Sequence, residues 1–211
     1  VEHPFVDLVS FTGSTRGGRE VAASAAATLK RVHLELGGKS PAVVLDDADL
    51  AKAVKATTIQ VLQNSGQSCN APTRLLVPTS RLAEAEAVAA GVMAKAVAGD
   101  PRDPATTLGP VVSRTQFERI QALLQSGLRE GARVVAGGPG RPAGRDRGWF
   151  VQPTLFADLR DDMQVVREEI FGPVLCLLGY ADEAEAVARA NATPYGLSAY
   201  VWAGSLERAR A

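Results

Sequence analysis

Short, strongly apolar runs recur along this chain, and most are separated by stretches with helical periodicity. Val6 to Phe11, Val32 to Leu36, Pro41 to Leu45, Thr73 to Val77, Arg133 to Ala136, Phe150 to Phe156, Val174 to Leu178 and Leu197 to Trp202 read as strands. Helices are expected from about Gly17 to Ala27, from an Asp49 cap to about Gln63 and from a Ser80 cap to about Ala98. Two more run from about Ser113 to Glu130 and from an Asp182 cap to about Asn191. Runs that are apolar at nearly every position suit strands covered on both faces, including the first and the last. The alternation therefore predicts an α/β fold: a mainly parallel sheet with helices on both faces. The glycine-, proline- and arginine-rich stretch from Gly137 to Gly148 reads as an exposed, solvated loop, as does the acidic turn Asp46-Asp47.

Bulk properties narrow the function classes. Hydrophobic residues make up 46% of 211, enough core for one large domain, or one domain and part of another. Lys plus Arg and Asp plus Glu both number 23, so no net field draws the chain to nucleic acid or to an anionic membrane. No apolar run approaches the ~20 residues that span a bilayer, and no basic-then-apolar leader opens the chain. Two cysteines, Cys69 and Cys176, are too few for a disulfide framework and fit a reducing, cytoplasmic setting. His3 and His33 have no ligand-spaced partners, so no metal site is expected. The start at Val1 and the end at Ala211, inside a helical run with no glycine stop, predict a piece of a longer protein.

Four segments carry chemistry. Phe11-Thr12-Gly13-Ser14-Thr15-Arg16-Gly17-Gly18 passes from strand to helix, where unpaired N–H groups and the helix dipole suit an anion. Arg19 and Glu20 follow Gly18 where a phosphate-binding P-loop would carry Lys and Ser or Thr, so phosphoryl transfer fails at its most discriminating positions. The simpler alternative is an ordinary strand-to-helix turn. Glu35, in Leu34-Glu35-Leu36-Gly37-Gly38-Lys39-Ser40-Pro41, stands before two glycines that permit close backbone or ligand approach. It reads either as a general base or as a solvated strand-end carboxylate.

Cys69 closes Asn64-Ser65-Gly66-Gln67-Ser68-Cys69, a polar, turn-like setting in which a thiol is accessible and activated by nearby N–H groups. An inert buried thiol is the alternative. Cys176, inside Pro173-Val174-Leu175-Cys176-Leu177-Leu178, reads as structural. Glu168-Glu169-Ile170-Phe171-Gly172-Pro173 sets a carboxylate and an aromatic ring before a tight turn, which alone would be a loop before a strand. His33 is expected on the face of its strand opposite Glu35, as a packing residue. Trp149 and Trp202 are expected in the core or at an interface.

These four segments, in this order, resemble the aldehyde dehydrogenase superfamily, which oxidises aldehydes to acids with NAD or NADP. The resemblance runs from Phe5 to the last residue. It implies the C-terminal part of a Rossmann-like dinucleotide-binding domain over residues 1–36 and a truncated catalytic (thiol) domain over 37–211. It implies Cys69 as nucleophile, its own N–H as one oxyanion donor, and Glu35 as the base that activates the hydrolytic water. Gly13, Ser14 and Gly18 would lie along the cofactor's pyrophosphate side, Thr12, Leu36 and Gly37 near the nicotinamide, Glu169 at a ribose and Phe171 at the nicotinamide ring.

A small-molecule aldehyde as substrate and a homo-oligomer, dimer or tetramer, of the full-length protein follow from the same resemblance. The 211 residues alone are expected to be inactive. Competing readings are a coenzyme A-acylating relative, disfavoured by Glu35, thiol-dependent acyl transfer or hydrolysis without a nicotinamide, and a non-catalytic truncated domain.

Overall fold

The apolar runs become strands of two separate sheets. The computed structural model describes all 211 residues, which divide into two compact units, Val1–Gly38 and Lys39–Ala211.

In the first unit, β1 (Leu8–Thr12) pairs in parallel with β2 (Arg31–Glu35), and α1 (Thr15–Ala26) crosses between them. A sheet with a helix packed against both its strands on one side alternates rather than burying every residue. Val9, Phe11, Val32 and Leu34 are half-buried, while Leu8, Ser10, His33 and Glu35 are exposed. The expectation of a fully buried first strand is corrected here, because Leu8 is 55% exposed. The placing of His33 opposite Glu35 is corrected too. Residues two apart on a strand share a face, and His33 Nε2 lies 3.8 Å from Glu35 Oε1, with the imidazole largely in solvent.

The second unit is a six-stranded sheet. Its strands are β3 (Pro41–Val44), β4 (Arg74–Pro78), β5 (Arg133–Ala136), β6 (Thr154–Ala157), β7 (Val174–Tyr180) and β8 (Tyr200–Trp202). The spatial order is β5-β6-β7-β4-β3-β8, and every pairing is parallel except β5 with β6. One face carries α2 (Leu50–Leu62) and α3 (Leu82–Met93). There Ala42, Val44, Leu75, Val77, Leu175 and Leu177 pack with Val54, Leu62 and Ala89. The other face carries α4 (Arg114–Arg129), α5 (Gln164–Arg167) and α6 (Glu183–Ala190). There Val43, Leu76, Cys176 and Leu178 pack with Ile120, Leu124, Val165 and Ala186. Adjacent residues Leu75 and Leu76 are both fully buried, one in each core, and each side chain contributes ~1.5–3 kcal/mol of burial. A short α7 (Leu206–Arg210) closes the chain. The α/β class, the mainly parallel sheet and the helices on both faces stand as expected. No helix is long and apolar enough to cross a membrane.

Asp49, Ser113 and Asp182 cap α2, α4 and α6 by accepting from Lys52, Gln116 and Glu185 N–H. Ser80 caps nothing. It sits in a 3₁₀ turn, Thr79–Arg81, and α3 ends at Met93 rather than near Ala98. The alanine-rich run favours helix, but Val97 O accepts from Thr107 and Leu108 N–H and Gly99 N–H donates to Leu108 O, which withdraws that backbone from the helix. The strand expected from Phe150 starts only at Thr154, after Pro153, which has no N–H to give a ladder. The last strand shortens to Tyr200–Trp202 and is not buried: it is a sheet edge, and Val201 is 46% exposed.

Two supposedly solvated segments hold partners. Arg208 pairs with Asp46 at 3.3 Å, Asp47 at 4.0 Å and also Glu183. The Arg141 guanidinium lies over the rings of Phe117 (4.7 Å) and Trp149 (5.3 Å). Trp149 and Trp202 are half-buried against the two cores.

Candidate active site

The thiol candidate is set by a run of unusual backbone. After α2, Asn64, Ser65 and Gly66 all take positive φ, at 50°, 56° and 74°. Such a run costs free energy for the two non-glycine residues and persists because its side chains are tied down. Asn64 Nδ2 donates to Gln67 O (2.9 Å) and Gln67 Nε2 returns a bond to Asn64 O (3.0 Å). Ser65 Oγ donates to Gly109 O at 2.7 Å, and Val112 N–H donates to Gln67 Oε1 at 2.9 Å. The loop then delivers Cys69, which is partly exposed. Beyond it, Asn70 O accepts from Tyr200 Oη (2.9 Å), whose oxygen accepts in turn from Gln60 Nε2 (2.9 Å).

Gly66 couples this loop to the Glu169–Pro173 segment. A Cβ at Gly66 would lie 2.0 Å from the carbonyl carbon and oxygen of Gly172 and 2.4 Å from Pro173 N, so the two backbones touch. The second segment is braced from α4. Gln116 Nε2 donates to Ile170 O (3.0 Å) and Phe171 O (2.8 Å), and Arg119 donates to Glu169 O (3.0 Å). Glu169 N–H faces Tyr195 Oη at 3.4 Å. Phe171 itself has φ 55°, a conformation that bulky residues rarely adopt. The structure thus brings together Cys69's loop, Glu169 and Phe171 within one unit. Gln116, Arg119 and Gly109 support them and carry no signal in the sequence, because their contacts are to backbone atoms distant along the chain.

Cys176 is unlike Cys69. It is fully buried in β7, donates to Val165 O at 3.3 Å, and burial pushes its thiol up. It reads as structural in the fold as in the sequence.

The first unit brings together Thr12, Gly13, Ser14, Gly18, Glu35, Leu36 and Gly37. Thr12 stands level with Glu35 across the β1–β2 ladder, and Gly13 N–H donates to Glu35 O at 3.0 Å. Ser14 is the N-cap of α1, its hydroxyl accepting from Gly17 N–H at 3.2 Å. Gly18 packs on Leu36, where an added Cβ would lie 2.5 Å from Cδ2, and a Cβ at Gly13 would lie 2.6 Å from the Phe11 ring. Each glycine is needed for close approach. Thr15 and Arg16 N–H, in the first turn, have no acceptor within the helix, and Arg16 adds an exposed positive charge paired with Glu20 at 2.8 Å. Such a helix start suits an anion. Glu35 presents a half-exposed carboxylate at the end of β2.

Comparisons with known proteins agree along the whole chain. The model of the aldehyde dehydrogenase family matches residues 1–211. A 3-succinoylsemialdehyde-pyridine dehydrogenase from a Pseudomonas species is 54% identical over 99% of the chain and 44% of its own length. A betaine aldehyde dehydrogenase from Sinorhizobium fredii is 48% identical over 99% of the chain and 43% of its own. Among solved structures, a cysteine-to-alanine variant of aldehyde dehydrogenase C from Pseudomonas syringae, crystallised with NAD+ and octanal, superposes with a TM-score of 0.97 at 51% identity. It is covered over 99% of this chain and 43% of that one. The chain belongs to the aldehyde dehydrogenase family. It spans less than half the length of these relatives.

Proposed function

We propose that the protein oxidises an aldehyde to a carboxylic acid, with Cys69 as nucleophile, Glu35 as general base and NAD or NADP as hydride acceptor. The observation that supports this most directly is the braced loop ahead of Cys69. Left-handed backbone at Asn64, Ser65 and Gly66, four side-chain ties and a backbone contact to Gly172 hold a partly exposed cysteine in a fixed place. A merely structural cysteine, such as Cys176, needs none of these.

The chemistry assigned to each residue follows. Cys69 Sγ, as thiolate, bonds to the aldehyde carbon, and the carbonyl oxygen takes the negative charge, stabilised in part by the Cys69 N–H. Loss of hydride from that carbon leaves the acyl group on Sγ as a thioester. Glu35 takes a proton from a water whose oxygen adds to the thioester carbon, the C–S bond breaks, and the acid leaves with the thiolate restored.

A nicotinamide dinucleotide, when bound, supplies the hydride acceptor. Gly13, Ser14 and Gly18 would lie against its phosphates, Thr12, Leu36 and Gly37 would border the nicotinamide, and Glu169 and Phe171 would meet a ribose and the nicotinamide ring. The first turn of α1, whose Thr15 and Arg16 N–H have no acceptor within the helix, and the Gly18–Leu36 contact, which leaves no room for a side chain at Gly18, support that reading.

Stopped-flow absorbance on the complete protein tests the reading, with a panel of short aldehydes, NAD or NADP, and with or without coenzyme A. A reduced-nicotinamide burst followed by turnover without coenzyme A is expected. A strict need for coenzyme A would replace the hydrolytic reading with acyl transfer.

A further inference from the structure

Cys69 and Asn70 are the central residues of a four-residue turn, Ser68 to Ala71, closed by a bond from Ala71 N–H to Ser68 O at 3.1 Å. The turn ends on the core, since Ala71 is 3% exposed and its carbonyl accepts from Thr73 N–H at 2.8 Å. The peptide joining Asn70 to Ala71 carries the closing N–H on one side and the Asn70 carbonyl on the other. That carbonyl accepts from Tyr200 Oη at 2.9 Å, across 130 residues of chain. Both polar atoms of the peptide plane that follows the thiol are therefore pinned, and the bond to the carbonyl strengthens the N–H donor opposite it.

We infer that Tyr200 is a positioning residue for Cys69, acting through the Asn70–Ala71 peptide, and that Gln60 aims its hydroxyl. The inference rests on the assignment of Cys69 as nucleophile. A tyrosine hydroxyl has one hydrogen to give and can accept besides. Gln60 Nε2 donates to Tyr200 Oη at 2.9 Å, which leaves the hydroxyl hydrogen for Asn70 O. Gln60 lies on α2, the helix that runs into the Asn64–Gly66 segment, and Tyr200 opens β8 in register with Ala42 of β3. The tyrosine is half-buried against the core under α2 and α3, so its ring is fixed before its hydroxyl reaches the turn.

The ties of Asn64, Ser65 and Gln67 hold the chain ahead of the thiol; Tyr200 holds the chain behind it. Asn70 is itself exposed, so its carbonyl, not the packing of its side chain, fixes this half of the turn. Without the tyrosine hydroxyl the turn is held at its two ends and not at its centre, and rotation of the Asn70–Ala71 peptide carries Cys69 with it. Attack geometry is sensitive to shifts of about 1 Å. The effect therefore falls on the rate at which the C–S bond forms rather than on how tightly the aldehyde binds.

The test is the burst of reduced nicotinamide from the complete protein, followed in stopped flow over a range of aldehyde concentrations at saturating cofactor. Tyr200→Phe keeps the ring and removes the hydroxyl. Its limiting burst rate should fall by about 3–10-fold, the worth of one neutral hydrogen bond, with the half-saturating aldehyde concentration unchanged. Tyr180→Phe is the control. It removes a bond of the same kind, Tyr180 Oη to Val44 O at 2.7 Å, level with Pro78 at the far end of β4, and its burst should match wild type. Gln60→Glu replaces the donor with an acceptor that competes for the hydroxyl hydrogen. It should slow the burst as Tyr200→Phe does and add nothing in the Tyr200→Phe background. A wild-type burst rate in Tyr200→Phe, an equal loss in Tyr180→Phe, or additive losses with Gln60→Glu would overturn the inference. Cys69→Ala separates the two readings. A burst that survives there removes the nucleophile assignment and this inference with it, whereas a burst lost there and untouched in Tyr200→Phe overturns this inference alone. Should Tyr200→Phe fail to fold, Gln60→Glu decides, an unchanged burst overturning the inference.

Discussion

Replacing Gly66 with alanine tests whether the Cys69 loop rests on the Gly172–Pro173 backbone. Two costs add. A non-glycine residue at φ +74° costs about 1–2 kcal/mol. The new Cβ would meet Gly172 C and O at 2.0 Å and Pro173 N at 2.4 Å, and no side chain can step aside there, so separating the loops costs a further ~1–3 kcal/mol. Gly131 is the control, because it has φ +96° and nothing within 4 Å of an added Cβ, so Gly131→Ala carries the backbone cost alone. Urea unfolding of both variants of the complete protein should therefore separate them by ~1–3 kcal/mol. Alkylation kinetics followed at the Cys69 peptide by mass spectrometry add a local readout: Cys69 is partly exposed, and its rate should change in Gly66→Ala and not in Gly131→Ala. If the two variants unfold within ~0.5 kcal/mol of each other and alkylate alike, the loop contact is wrong.

Arg74→Met should destabilise by ~3–5 kcal/mol, measured by denaturation, because it strands the carbonyls of Lys39, Arg189 and Ala190. Glu35→Gln should keep the burst of reduced nicotinamide and slow steady-state turnover by ~10²–10⁴-fold in stopped flow, the usual worth of a general base. Arg133 holds the Glu86 and Asp158 carboxyls below the usual carboxylate range by hydrogen bonding to both. Groups with lowered folded values stabilise above their unfolded pKa, so this contribution should be lost as pH falls below about 4. Arg133→Ala should flatten that acid limb, a small effect given solvent screening, as read from thermal melts across pH.

The sheet was legible in the sequence because Pro41-Ala42-Val43-Val44 and Arg74-Leu75-Leu76-Val77 are apolar at nearly every position, which only a doubly covered strand tolerates. The same signal misled at Val6 to Phe11, where only one face of a two-stranded sheet is covered by α1. It misled again at Leu197 to Trp202, whose place at the sheet edge depends on strand order. The helix overrun toward Ala98 arose because local propensity cannot foresee the pairing with Thr107 and Leu108. Cys69 and Glu35 could be singled out because their neighbours break the apolar pattern with glycine and polar residues, whereas Glu169 and Phe171 stand out only through the resemblance of the four segments together. The brace at Gln116 and Arg119 and the stack of Arg141 on Phe117 and Trp149 could not, since they join segments with no shared pattern.

The central claim is that Cys69 carries the acyl group and Glu35 releases it. Mass spectrometry of peptides from the complete Glu35→Gln protein, acid-quenched during reaction with an aldehyde and the nicotinamide cofactor, tests it most directly. The Cys69 peptide should carry the mass of the acyl group, in an amount close to the burst. An unmodified Cys69 peptide at a time when the burst is complete would contradict the claim.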